Sequence, residues 1–271
     1  MANWQRLGEI GFNLPPRQTA GREEEATAEC PICRGRGLVL QDGRARRCRC
    51  MDERALAVRR RAAGLTAALQ RQTFSAFELR YYEPQFLEMA RRTLAAAQEF
   101  VRECLEGRAR RGLLFTGPVG SGKTFLACAI ANALVEGACD VFFVVVPDLL
   151  EAIRSGFGRV PEGEANTRIE ERARGAAVLI LDDLGAHNYT DWTRNTLYSL
   201  LNHRLNHELP TVITTNLSLE ELDAYLGERT ISRIVQHCRV YRLLVHRDIR
   251  HLKAAQAAGV SPVAPPRGGG A

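Results

Sequence analysis

The stretch "LLFTGPVGSGKTF", residues 113–125, limits the fold of this chain more than any other. A short apolar run gives way to a glycine-rich loop, and a run rich in alanine and leucine follows. Gly117, Gly122, Lys123 and Thr124 complete the pattern G-x-x-x-x-G-K-[ST], with Pro118, Val119, Gly120 and Ser121 between the glycines. In that pattern, backbone N–H groups turn inward around phosphate oxygens at a helix N-terminus. The loop needs a strand before it and a helix after it, so it calls for an α/β domain.

The rest of the chain fits that demand. Further strand candidates are 141–146, 178–182, 211–215 and 241–245, with "LLFT" itself at 113–116. They are continuously apolar, as parallel strands buried on both faces are. Helices fit at 122–136, 147–156, 191–207 and 218–237, and two more at 51–72 and 84–106, the latter closed by Gly107. The expected fold is a five-stranded parallel sheet between helices. The expected organisation is a flexible lead-in over 1–29, a cysteine module with its following helix over 30–72, an ATPase domain over 73–255 and a disordered tail over 256–271. The longest apolar run near the N-terminus is too short for a signal peptide or a membrane span. The expectation is therefore a soluble cytoplasmic protein with no membrane contact.

Of 37 basic residues only Lys123 and Lys253 are lysine. The arginine bias fits codon usage, so neither the arginine count nor the net charge of +6 argues for nucleic acid by itself. The lysine in the loop is different. A compact ammonium reaches the β and γ phosphates of ATP, where the larger planar guanidinium does not fit.

Three further motifs follow in chain order. "VLILDDLG" ends a strand candidate in Asp182 and Asp183. Asp182, with Thr124, is the expected Mg²⁺ contact, and Asp183 the group that orients or activates the attacking water. Asn216 ends "TVITTN", where it can sense the γ-phosphate. In "GERTISRIVQHC", Arg229 and Arg233 share a helical face. Arg233 is the preferred candidate for an arginine finger acting on a neighbour's ATP, ahead of Arg229. Phe157 in "RSGFGR" and Trp192 in "NYTDWTR" are candidates for stacking on single-stranded DNA, with core packing the competing reading for Trp192.

Cys30, Cys33, Cys48 and Cys50 form a C-x2-C and a C-x-C pair within 21 residues. Two tight pairs of thiolates suit one tetrahedral Zn²⁺, with an iron–sulfur cluster as the alternative. Seven arginines between Arg34 and Arg54 surround them and could meet phosphates, against the −2 charge of four thiolates and Zn²⁺.

Taken in order, "GPVGSGKT", "LILDDLG", "ITTN" and "GERTISRI" resemble the AAA+ ATPases of the DnaC/DnaI helicase-loader family and their IstB-type relatives. "TFSAF", 73–77, adds to the likeness, which covers roughly residues 73–250. The resemblance implies the strand order 5-1-4-3-2 and an ATP-controlled assembly that meets single-stranded DNA and a hexameric, DnaB-type replicative helicase. It also implies a chain without the usual helical lid, a sensor-like role for Arg250 in "HRDIR", with a surface ion pair to Asp248 the competing reading, and a cysteine module that docks on the helicase, with DNA contact second. A transposase helper remains the alternative, and a small-molecule kinase a more distant one.

Overall fold

A computed structural model describes residues 30–41, 44–155, 165–185 and 190–258. By their contacts the residues group into two compact units, 1–53 and 54–271.

In the first unit, β1 (Leu38–Gln41) and β2 (Arg44–Arg47) form an antiparallel hairpin, and α1 (Arg49–Ala62) begins directly after it. No apolar alternation in the sequence marks this hairpin. Both strands are exposed along most of their length, so neither shows an apolar signature. The helix expected over 51–72 also stops early, at Ala62. Gly64 takes a left-handed φ of +78° there, and the chain continues through three short 3₁₀ turns between Leu69 and Tyr81.

In the second unit, α2 (Pro84–Leu105) opens with proline at its first turn, where the missing N–H costs nothing. Then come β3 (Gly112–Thr116), α3 (Lys123–Glu136), β4 (Val141–Val145), α4 (Val146–Ser155) and α5 (Ala165–Gly175). The series continues with β5 (Val178–Leu184), α6 (Asp191–Asn206) and β6 (Thr211–Thr215). It closes with α7 (Leu219–Leu226), α8 (Glu228–His237), β7 (Cys238–Arg242) and α9 (Ile249–Ala257).

The five strands pair in parallel in the order β4-β5-β6-β3-β7, which is 5-1-4-3-2 counted along the domain. Alternate strand residues feed two cores. Leu113, Phe115, Ile180 and Val212 pack under α2 and α3, while Leu114, Leu179, Leu181 and Ile213 pack under α4 to α8. The helix α3 is sandwiched between α2 and the sheet, and its residues Leu126 to Asn132 are all buried.

Three sequence expectations need correction. The last strand is Cys238–Arg242, not 241–245. It is an edge strand with alternating exposure, and the apolar run Leu243–Val245 lies beyond it. The helix expected over 218–237 is two helices, parted at Gly227 with φ +83°. The helices α5 and α9, rich in charged or small polar faces, were not anticipated.

Candidate nucleotide site and cysteine centre

The phosphate loop joins β3 to α3 at the C-terminal end of the sheet, where open α/β sheets place their ligands. Its tightness comes from backbone that only glycine tolerates. A Cβ on Gly117, with φ +143°, would lie 1.9 Å from the carbonyl oxygen of Leu243. One on Gly120 would strike the Asp248 carboxylate at 2.0 Å. The N-terminus of α3 has no side-chain cap, so its N–H groups face the loop. The Tyr82 hydroxyl donates to Ser121 O at 2.6 Å and fixes the loop from outside.

Lys123 is buried, and its Nζ donates to the carbonyls of Gly117 and Pro118, both at 2.8 Å. Burial pulls its pKa down to about 8, against the opposing pull of Asp182 and Asp183. An anion in the loop would favour the charged amine and recover what burial removes.

Asp182 stands at the end of β5 and is buried. Its Oδ1 accepts from Thr124 Oγ1 at 2.9 Å and from Thr214 Oγ1 at 2.6 Å. Burial raises its pKa, and those two hydrogen bonds oppose the rise. The strand then bulges between Leu181 and Leu184, and Asp183 takes a φ of +60°, unusual for a residue with a side chain. Its N–H donates to Thr214 Oγ1 at 3.0 Å, and its Oδ1 accepts from Asn216 Nδ2 at 3.0 Å. The bulge aims the two adjacent carboxylates differently: Asp182 back toward Thr124, and Asp183 outward toward Asn216. A carboxylate next to a hydroxyl suits Mg²⁺, and a second, more open carboxylate suits a water molecule.

These groups line a cavity of about 640 Å³, together with Val119, Gly120, Gly122 and Arg250. Arg250 donates to Asp248, its Nη2 lying 3.1 Å from Oδ2, and lines the cavity as well. Arg229 and Arg233 are on α8 and are not among the lining residues. Arg229 is exposed, and Arg233 Nη1 donates to Gln236 Oε1 at 3.1 Å. Trp192 is half-buried and packs against the core beneath α4 to α8. Phe157 lies outside the described residues.

Sequence reasoning missed Thr214, which joins both aspartates, because threonine in a strand reads as ordinary β-propensity. It also missed the wall built by residues 72–82 and α9. There Lys253, the other lysine of the chain, pairs with Glu78 at 3.2 Å and sits over the rings of Tyr81 and Phe125. Its rarity was the available signal.

In the first unit the Sγ atoms of Cys30, Cys33, Cys48 and Cys50 all lie within 4.8 Å of one another. Two pairs are closer, Cys30–Cys48 at 3.7 Å and Cys33–Cys50 at 3.4 Å. Zinc–sulfur bonds of about 2.3 Å place tetrahedral sulfurs about 3.8 Å apart, so the donor set fits one Zn²⁺. The hairpin brings the pairs together, and Gly37 N donates to Cys33 Sγ at 3.3 Å. Backbone N–H groups of Cys33 and Ile32 draw the Cys30 thiol down to about 6, while burial pushes the Cys50 thiol up to about 12, a cost that a bound metal cation would offset.

A five-stranded parallel sheet of this order, with a phosphate loop after β3, the strand next to the β7 edge, a carboxylate pair on the strand two places away and a polar residue ending the strand between, defines an AAA+ nucleotide-binding domain. A crystal structure of DnaI aligns with a TM-score of 0.55 at 25% identity, over 68% of this chain and 93% of that one. The family model for IstB-like ATP binding proteins matches residues 39–257, and the chain belongs to that family. It is 32% identical to the replicative helicase loader DnaI of Bacillus subtilis over 128 residues, 46% of this chain and 39% of that protein. It is 26% identical to the replicative helicase loader DnaC of Escherichia coli K12 over 141 residues, 52% of this chain and 56% of that protein. The matches thus span between two fifths and somewhat over half of these relatives. No helix among the described residues is long and apolar enough to cross a membrane.

Proposed function

We propose that this chain binds ATP with Mg²⁺, hydrolyses it, and uses the cycle to load a replicative helicase of the hexameric, DnaB type onto single-stranded DNA. The observation that carries the reading is Lys123 held in the loop beside the hydrogen-bonded set Thr124–Asp182–Thr214–Asp183–Asn216. Lys123 and the loop N–H groups hold the β and γ phosphates. Thr124 and Asp182 hold Mg²⁺, which supplies charge neutralisation at the phosphates when bound. Asp183 orients water, and Asn216 moves from Asp183 to the γ-phosphate when ATP arrives. Arg250 reaches the phosphates from α9. Arg233, with Arg229 second, acts on the ATP of an adjacent copy. The partner assignment rests on the likeness to DnaI and DnaC. The IstB-like family match supports a second reading, a transposase helper with the same ATPase core.

Residues 30–50 hold one Zn²⁺ through the four cysteines. A separation of at most 4.8 Å between sulfurs leaves room for a single ion, not for a cluster of several irons. The exposed arginines of this unit, Arg34, Arg36, Arg44, Arg46, Arg47 and Arg49, and the exposed apolar residues Ile32, Leu38 and Leu40 form a docking face for the helicase.

Two substitutions test the core reading. Lys123→Ala loses ATP binding at concentrations that saturate the wild type, its affinity falling roughly 100-fold, the worth of a charged hydrogen bond or two, while the fold is kept. Asp183→Asn keeps ATP affinity and loses turnover. Wild-type affinity in the first variant, or wild-type turnover in the second, would refute the site. Capture of either a helicase or a transposase by the tagged chain, with ATP present, decides the partner.

A further inference from the structure

Thr214 is buried on β6, and its hydroxyl meets both aspartates of the site. The bulge in β5 is the cause. Leu181 pairs with Ile213 and Leu184 with Thr215, so Asp182 and Asp183 together face the single residue Thr214. Two residues against one leave the ladder a partner short, and the extra backbone N–H must bond elsewhere. The Asp183 N–H finds Thr214 Oγ1 at 3.0 Å, a side chain standing in for a backbone carbonyl.

The same oxygen carries one proton and donates it to Asp182 Oδ1 at 2.6 Å. An amide N–H only donates and a carboxylate only accepts, so the hydroxyl between them has one arrangement. Asp183 is held at a φ of +60°, a conformation that costs a residue with a side chain and persists where its surroundings over-determine it. Thr214 grips Asp183 by its backbone, and Asn216 grips it by its carboxylate at 3.0 Å. On Asp182, Thr214 holds Oδ1 while Thr124 spans both oxygens at 2.9 and 3.2 Å. Valine has the same shape and is at home in a strand buried on both faces, but it can make neither bond. Packing therefore does not explain the threonine.

We propose that Thr214 is a positioning residue that divides the work of the aspartate pair. Its lone pair holds Asp183 in the left-handed bulge, with the carboxylate outward toward water. Its proton fixes the rotation of the Asp182 carboxylate toward Thr124, on the Mg²⁺ side. This inference rests on the reading of the cavity as a Mg²⁺–ATP site.

The test compares Thr214→Val, which removes the hydroxyl and keeps the shape, with Thr214→Ser, which keeps the hydroxyl and removes the methyl. Calorimetric titration of the full chain with the non-hydrolysable analogue AMP-PNP, in Mg²⁺ and in EDTA, gives the factor by which Mg²⁺ tightens binding. Turnover is measured separately at saturating ATP. Thr214→Val should lose roughly tenfold of the Mg²⁺ factor, the worth of one hydrogen bond to a charged group, and at least tenfold in kcat. Its metal-free affinity should stay within about twofold of wild type. Thr214→Ser should stay within about threefold of wild type in every measurement. The Mg²⁺ factor is a ratio on one protein, so an unfolded fraction cancels. Should valine disturb the fold, Thr214→Cys, nearly the size of serine with a weak donor, repeats the comparison. If the variant without the hydroxyl keeps both the Mg²⁺ factor and turnover, or if Thr214→Ser falls as far, the role of Thr214 is overturned. Loss of binding in Lys123→Ala then shows that the site itself stands. If the wild type binds no triphosphate, or Mg²⁺ leaves its affinity unchanged, the reading of the cavity falls as well.

Discussion

Arg204 is fully buried, and its guanidinium meets only neutral partners. It donates to the carbonyls of Ala173, Arg174, Ala176 and Pro210 and to Thr211 Oγ1. Three of those carbonyls lie at the C-terminal end of α5, where the helix dipole is negative, and this supplies the compensation a carboxylate would. The arrangement constrains His237, which shares Thr211 Oγ1 at 3.1 Å and is also buried. Burial first, then the Arg204 charge, pushes its pKa down to about 4. A histidine depressed in the folded state stays neutral there, while its unfolded counterpart takes up a proton near pH 6.5. The stability it contributes is thus complete above pH 6.5 and drains away as the pH falls toward 4, by about 2–3 kcal/mol. Chemical denaturation of wild type and His237→Gln across that range measures the difference. The wild type should lose stability more steeply, and parallel curves would show that the imidazole is not the group involved.

Among the elements, the cysteine hairpin and the phosphate loop differ in how openly they are written. The loop is legible because its glycines, lysine and threonine are adjacent in the chain and each answers a local geometric need. The four cysteines are legible for the same reason. The hairpin joining them is not: Leu40 is 81% exposed, and β2 is "RARR", so no apolar period marks either strand. The Asp42-Gly43 dipeptide was the usable turn signal. The misplaced last strand has a related cause. Edge strands are only half covered, so β7 lacks the apolar run of an inner strand. Leu243, just past it, is fully buried in the core under α2 and α3, its N–H donating to Thr116 O and its backbone lying under Gly117. The left-handed Asp183 and the Thr214 bridge depend on register between strands, which a single sequence does not display. For the hairpin itself, the expected result is one zinc per chain in protein purified under reducing conditions. Cys33→Ser should abolish it, because ligand loss removes the unit's folding energy. ATP affinity should change less than about twofold, since the phosphate loop belongs to the other unit. Iron in place of zinc, or a collapse of nucleotide binding, would contradict this assignment.

α8 and β7 leave Val235 and Val240 exposed, at 42% and 38%, beside the half-buried Arg233. An arginine held only by a neighbouring glutamine on the same helix, with exposed apolar residues on α8 and β7, suits a contact between copies in which Arg233 turns to the neighbour's γ-phosphate. Lys123→Ala and Arg233→Ala are each expected to be inactive. Mixed, with DNA or the captured partner present, they should regain part of the wild-type rate, since a supplied arginine is worth roughly a thousandfold or more. A mixture that assembles yet stays inactive would remove Arg233 from the mechanism. The order of the sheet also bears on how the protein is made. β3, which carries the phosphate loop, is finished at Thr116, but both strands that flank it begin far later, at Thr211 and Cys238. Ribosomes add roughly 5–20 residues per second, so the loop waits several seconds before its strand has any neighbour. During that interval the nascent chain has neither Leu243 beneath Gly117 nor Thr214 against Asp182. On the proposed reading of the site, nucleotide affinity therefore arises late in synthesis, after the segment that carries Leu243 has been made.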